Sequence, residues 1–252
     1  MTTSSTARES AAYTAAVADS AAEVRAAQRL RHEVFGQEMG AAAGSRSSGL
    51  ERDAFDSVAD HLIVTETATG DVVGTYRLLP PGRVRPSYAD GEFDLGALAG
   101  LRTSMIEAGR SCVHPGHRSG AVINLMWSAL ARYVLLSGHR YLAGCASVPL
   151  ADGGRSAAHT WALCAARHAP PSGMEVFPHR PWQPSAPVQV TEPAGARTAL
   201  LPPLLRGYLR LGAWVCGAPA HDPEFGVADF FVILDMEQLN DRYHRYFLGE
   251  PG

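Results

Sequence analysis
A chain of 252 residues with 46% hydrophobic and 19% charged residues has enough apolar material for a large domain with its own core. Its net charge of −3 excludes the global basic field expected of a nucleic-acid-binding surface. All 22 basic residues are arginine, so a Schiff-base lysine, a Walker lysine and a Ser-Lys dyad are excluded as well.

Residues 1–20, rich in Ala, Ser and Thr, read as a disordered tail. From Ala21 to Met39 the helical spacing of Val24, Ala27, Leu30 and Val34 predicts a first helix, ended by Gly40. A small, polar loop follows. The runs His61–Thr65 and Val72–Leu79 flank Thr69-Gly70-Asp71 and predict strand, turn, strand. Glu92 to Leu101 reads as a short helical piece. Ser104–Val113 reads as a strand, His114–Gly120 as a turn, Ala121–Ser137 as an amphipathic helix and Tyr141–Val148 as another strand, a βαβ-like unit. Ser156–His168 has helical character, and the proline-rich stretch from Pro170 to Pro203 predicts an irregular excursion. A helix over Leu204–Leu211, a strand over Asp229–Leu234 and a terminal helix over Met236–Phe247 complete the chain. The expectation is one domain over 21–252, with a C-terminal extension from about residue 200.

The four cysteines (Cys112, Cys145, Cys164, Cys216) form no C-x-x-C pair and no zinc spacing, and the histidines form no ligand pattern, so no metal is expected. No apolar run reaches spanning length, and no signal peptide is evident. A cytoplasmic protein with small core cysteines is expected. The segment Leu200–Val215 is apolar with Arg206 and Arg210; it reads as a buried helix, with contact to the inner membrane surface as the alternative.

Four patterns could carry chemistry; one of them, Arg31 and Phe35 at i, i+4 on the first helix, reads on its own as a surface arginine and a core aromatic. Val113-His-Pro-Gly-His117-Arg118-Ser119-Gly120-Ala121 places small residues between a strand and a helix N-terminus, where free backbone N–H groups and the helix dipole favour a phosphate. Glu107 and Arg110 lie on the strand entering that turn. Strict alternation separates Glu107 and Gly109 from Ala108 and Arg110, unless a bulge resets the register. A carboxylate there is either a structural ion-pair partner or a general base for a protonated amine. The cluster Glu51, Asp53, Asp56, Asp60 suits an ammonium ligand, internal arginines or plain solvation.

Taken together, the motifs resemble a branch of the GNAT acyltransferases. Arg31-x-x-Val34-Phe35, Glu51-x-Asp53-x-x-Asp56, Arg77-Leu-Leu79 and Glu107-x-x-Arg110 are similar in order to the acyl-homoserine-lactone synthases. The L-ornithine Nα-acyltransferases of ornithine-lipid synthesis are a closer match. That match rests on Phe55–Val64, Val73–Leu79, Glu92-Phe-Asp94, Gly109–Val113, Gly144–Ser147 and Leu201–Ala213. The stretch Gly40–Ala43 stands where lactone synthases carry an aromatic.

The resemblance implies an α/β (α+β) GNAT fold, with a central mixed, mostly antiparallel twisted sheet flanked by helices. It implies transfer of a long-chain acyl group, 3-hydroxylated or not, to the α-amine of ornithine or a related amino acid. The donor would be an acyl-phosphopantetheine thioester on acyl carrier protein, with acyl-CoA as the variant, and no permanently bound cofactor. By the same resemblance Glu107 and Arg110 are catalytic, and Arg31, Phe35, Glu51, Asp53, Asp56 and Arg77 shape the substrate site. Val113, His117, Arg118, Ser119, Gly120 and Ala121 would hold the donor's phosphate. The loop is poorer in glycine than the acetyl-CoA form, which suits a carrier protein bringing one phosphate. Arg83, Arg85, Arg102, Arg118 and Arg155 are candidates to dock an acidic carrier. Lactone synthesis and a non-catalytic acyl-carrier-binding module stand as the alternatives.

Overall fold
The structure, a computed structural model, describes residues 12–38, 48–118, 120–184, 201–239 and 243. The chain divides into two compact units. The first comprises Met1–Arg83, Ala108–Gly138 and Asp241–Gly252; the second comprises Val84–Glu107 and His139–Asn240.

In the first unit, β1 (Tyr13–Val17) lies inside the stretch expected to be a disordered tail. It pairs antiparallel with β2 (Asp60–Glu66), which pairs antiparallel with β3 (Val72–Leu79). Sequence reasoning missed β1 because its alternation is carried by alanine and threonine, whose side chains give little hydrophobic contrast. Residues 1–11 lie outside the described ones. Helix α1 (Ala21–Glu38) starts at Ser20, whose hydroxyl accepts from the Glu23 N–H while the Glu23 carboxylate accepts from the Ser20 N–H, a reciprocal capping pair.

The β3 neighbour is β5 (Met105–Val113), whose last six residues belong to this unit. Leu30, Val34 and Cys112 form a small buried cluster, with Phe35 and Val72 packed beside it. Helix α2 (Gly120–Leu136) buries Val122, Met126, Leu130, Ala131 and Val134, the i, i+4, i+8 stripe that its sequence announced. It comes so close to β3 that a Cβ on Gly74 would sit 3.0 Å from Met126 Sδ and 3.3 Å from Val64 Cβ. Only glycine fits that contact without displacement.

In the second unit, Met105–Glu107 of β5 run parallel to Tyr141–Ala143 of β6 (Tyr141–Pro149), so the expected strand–helix–strand crossover is real. β6 then pairs along its whole length, antiparallel, with β10 (Val227–Asp235). β10 in turn pairs with β8 (Trp214–Val215) and β9 (Ala220–Asp222). Every residue of β10 is buried, consistent with its near-continuous apolar run. The block expected as a C-terminal extension is therefore integral to this unit's sheet. Helix α3 (Arg155–Arg167) matches its expected span, as does α4 (Pro203–Arg210), which buries Leu205, Tyr208 and Leu209.

The stretch expected to be helical at Glu92–Leu101 instead holds the two-residue strand β4 (Phe93–Asp94), paired with β7 (Phe177–Pro178), and a 3-10 turn at Gly96–Leu98. Gly96 and the Asx-type contact from Asp94 to its N–H favour a turn over a continuous helix. The expected terminal helix begins as a 3-10 turn over Met236–Gln238, and most of the remainder lies outside the described residues. Among the described residues no helix is long and apolar enough to cross a membrane.

Candidate active site
The acidic cluster does not sit in solvent: it is neutralised from within the first unit. Arg31, on α1, is completely buried and not the surface arginine that its helix position suggested, because its charge is met by carboxylates. Its Nε lies 2.6 Å from Glu51 Oε2, a charge contact without hydrogen-bond alignment, and its Nη2 donates to Asp56 Oδ1 at 2.6 Å and to the Glu51 carbonyl at 2.7 Å. Arg77, on β3, donates from Nη1 to Asp53 Oδ1 at 2.6 Å and lies 3.5 Å from Asp56 Oδ2. Its guanidinium also stacks over the Phe55 ring, 5.5 Å from the centroid. Arg110, on β5, donates from Nε to Glu51 Oε1 at 3.0 Å and lies 3.5 Å from Asp53 Oδ2.

Three guanidinium groups thus meet three carboxylates. Local structure holds the carboxylates for this purpose. Asp53 accepts from the Phe55 N–H at 2.8 Å, and Asp56 accepts from the Asp53 N–H at 2.8 Å, closing a capping box around a 3-10 turn at Ala54–Ser57. Burial pushes the Asp56 carboxyl up, but Arg31, the Asp53 N–H and Arg77 outweigh it and hold it below the usual range. His61, on β2, lies 3.1 Å from the Asp56 carbonyl; burial pushes its imidazole down against the pull of Asp56. Its place at the end of the acidic stretch is legible in the sequence; its contact with the Asp56 carbonyl is not. Phe35, expected at the substrate, packs against the Leu30–Val34–Cys112 cluster.

The expected phosphate loop is organised by its own side chains. Pro115–His117 form a 3-10 turn, His114 Nδ1 accepts from the Gly116 N–H at 3.1 Å, and Arg118 Nε donates to the Val113 carbonyl at 3.2 Å. Tyr13 of β1 reaches His117 Nδ1 at 3.1 Å, a contact hidden by the misread tail. Gly120 and Ala121 open α2, and Ser119 lies outside the described residues. Of the arginines expected to dock a carrier, Arg83 is paired to Asp60 at 2.7 Å and Arg102 to Asp90.

Glu107 belongs to the second unit. It stands at the last pair of the β5–β6 ladder, opposite Ala143, and Ala143 faces Ile233 of β10. Directly opposed residues share a sheet face, and so do alternate residues along a strand. Glu107, Ala143, Cys145, Ser147, Phe231 and Asp229 therefore line one face, apolar at the Met105–Tyr141 end and polar at the other. Glu107 Oε1 accepts from the Ala89 N–H at 3.1 Å. That turn is pinned by Asp90, which accepts from the Ser87 N–H at 2.6 Å and takes a two-toothed ion pair from Arg102.

Arg102 and the Ser87 contacts hold the Asp90 carboxyl down at about 2. Its contribution to stability is present above pH 3.8 and is lost as pH falls through about 2. The difference in Tm between the native protein and Asp90→Asn is expected to be constant above about pH 5 and to shrink between about pH 4 and 2, followed by thermal melts across that range.

Ser147 Oγ donates to Asp229 Oδ1 at 2.5 Å. Glu92, Asp222 and Asp229 bring carboxylate oxygens within 4.8 Å of one another, an oxygen donor set that sequence spacing did not reveal. The Cys145 thiol is pushed well above its ordinary range by burial and then by Glu92, Asp229 and Glu107. Burial also raises Cys164 and Cys216, each to about 12. These thiols lack thiolate character at neutral pH and fill space, as expected.

Residues 30–128 match the family described as Acetyltransferase (GNAT) domain. Over 94% of this chain and 89% of the relative, the sequence is 34% identical to a protein of Brucella abortus named L-ornithine N(alpha)-acyltransferase. A Rhodobacter capsulatus protein of the same name is 33% identical over 93% of this chain and 94% of its own length. This chain belongs to the L-ornithine Nα-acyltransferase family. It is an acyltransferase with the GNAT fold. Solved structures agree on the fold: a CoA-dependent acyl-homoserine lactone synthase, BjaI, aligns with a TM-score of 0.54 at 19% identity, covering 91% of this chain and 84% of that one. FeeM, an N-acyl amino acid synthase from uncultured soil microbes, aligns with a TM-score of 0.51 at 14% identity, covering 90% and 94%.

Proposed function
We propose that this acyltransferase moves a long-chain acyl group, 3-hydroxylated or not, from a phosphopantetheine thioester to the α-amine of ornithine, releasing a thiol and forming a lyso-ornithine-lipid amide. The observation that carries the reading is the placement of Glu107 at the closing pair of the β5–β6 ladder, in a family whose named members act on ornithine.

Ornithine's α-amine is an ammonium at neutral pH and has no lone pair for attack. The Glu107 carboxylate takes its proton, directly or through one water. The amine nitrogen then bonds to the thioester carbonyl carbon. The carbonyl oxygen gains negative charge, which backbone N–H groups of β5 stabilise. Collapse breaks the C–S bond; the leaving thiolate takes the second proton of the amine nitrogen and departs as the thiol, and Glu107 gives the first proton to solvent. Glu92, Asp222 and Asp229 give the Glu107 face of the second unit a negative field suited to a cationic acceptor. The Val113–Ala121 loop, with Arg118 and the start of α2, suits a single phosphate of the donor. Acyl carrier protein is the partner on this reading, and acyl-CoA the alternative donor. The catalytic work sits with Glu107; within the first unit Arg31, Arg77, Arg110, Glu51, Asp53 and Asp56 form an ion-pair network of their own.

The test is to incubate the purified chain with 3-hydroxyacyl and plain acyl thioesters on carrier protein and on CoA, with a panel of amino acids and S-adenosylmethionine. Mass spectrometry is expected to find acyl-ornithine as the main product. A lactone made from S-adenosylmethionine, or a carrier that binds and keeps its thioester, would each contradict the proposal.

A further inference from the structure
Among the described residues, Arg110 is the one non-glycine with a left-handed backbone, at φ 50°, and it lies inside strand β5. An arginine gains nothing from that conformation, since its Cβ crowds the following carbonyl oxygen. Such a residue persists where its surroundings over-determine it. Here the surroundings act through the guanidinium. Nε is tied to Glu51 Oε1 at 3.0 Å and Nη2 lies 3.5 Å from Asp53 Oδ2. The anchor is rigid. Glu51 is buried; its N–H donates to the Gln28 carbonyl at 3.1 Å, its own carbonyl accepts from Arg31, and its second carboxylate oxygen is 2.6 Å from Arg31 Nε. Asp53 is fixed as the cap of its 3-10 turn.

We propose that Glu51 is a positioning residue: acting through Arg110, it clamps the β5 backbone in the left-handed region at residue 110. The clamp aims the peptide groups on either side of Arg110, three residues along the strand from Glu107. The inference rests on the acyl-transfer reading above, in which β5 N–H groups polarise the thioester oxygen.

A glycine adopts a positive φ without help, whereas methionine does not. That difference separates a backbone clamp from simple charge balance. With the full-length protein, acyl-carrier thioester and ornithine, Glu51→Gln is expected to lower kcat about tenfold, leaving KM for ornithine within about twofold. Adding Arg110→Gly to Glu51→Gln restores most of the lost kcat; adding Arg110→Met, which balances charge equally, does not. Equal turnover in the two double variants overturns the clamp. If Glu51→Gln alone does not fold, the two charge-balanced double variants carry the comparison. Backbone chemical shifts at residue 110 give a readout independent of turnover: left-handed values in the native protein and the glycine variant, extended values in the methionine variant. Extended values in the native protein also overturn it. A native protein that makes no acyl-ornithine instead refutes the functional reading, and the chemical shifts then decide the clamp alone.

Discussion

Glu107→Gln is expected to lower kcat for amide formation by about 10²–10³-fold at saturating ornithine, with far-UV circular dichroism and Tm close to those of the native protein. The glutamine side chain has the same shape, and its carbonyl oxygen can still accept from the Ala89 N–H, as Oε1 does at 3.1 Å. What disappears is the capacity to take a proton. The acceptor amine then reaches the thioester only in the small fraction that is already neutral, so the residual rate should rise with pH as that fraction grows. A variant that turns over within about threefold of the native protein at pH 7 would remove Glu107 from the mechanism.

Arg31→Met is expected to destabilise the fold by about 3–5 kcal/mol, because it leaves charge buried without its partner. For a chain of this size that corresponds to a fall in Tm of roughly 6–20 °C. The arginine is fully buried and contacts both Glu51 and Asp56 at 2.6 Å. Arg110 still faces Glu51 and Arg77 still faces Asp56, so the loss should stop short of unfolding. The sign with pH follows from Asp56. Its folded carboxyl lies below 3.8 in the native protein, so the stability it supplies is present above that pH and is lost below it. The Tm gap between native protein and variant should therefore be widest near neutrality and narrow as pH falls below about 3.8. A Tm within about 2 °C of native at pH 7 would show that the buried arginine is not the keystone of the network.

Much of this architecture is legible in the sequence, for identifiable reasons. The α2 stripe and the β3 and β10 runs carry strong periodicity or continuous hydrophobicity, and their spans agree with expectation to within one or two residues at most ends. The crossover between β5 and β6 was legible because a glycine-containing turn separates a strand pattern from a helix pattern. β1 was not, since Ala and Thr alternate without contrast, and its pairing with β2 is a long-range fact. The Glu92–Leu101 stretch failed because local turn chemistry at Asp94 and Gly96 overrode a composition that looked helical.

The same division holds for the site. The three motif fragments around Arg31, Glu51–Asp56 and Arg77 are up to 46 positions apart in sequence, and only the fold shows that they neutralise one another. Alternation could not place Arg110, because its backbone leaves the strand conformation. The convergence of Glu92, Asp222 and Asp229 needs the β9–β10 register and the chain around β4, neither of which periodicity announces.

The most direct measurement is thiol release from an acyl-carrier thioester, followed continuously, with and without ornithine, alongside the amide formed. One thiol is expected per molecule of Nα-acyl-ornithine, with almost no release when ornithine is withheld. Release that ignores ornithine, or an acyl group found on the side-chain amine, would contradict it.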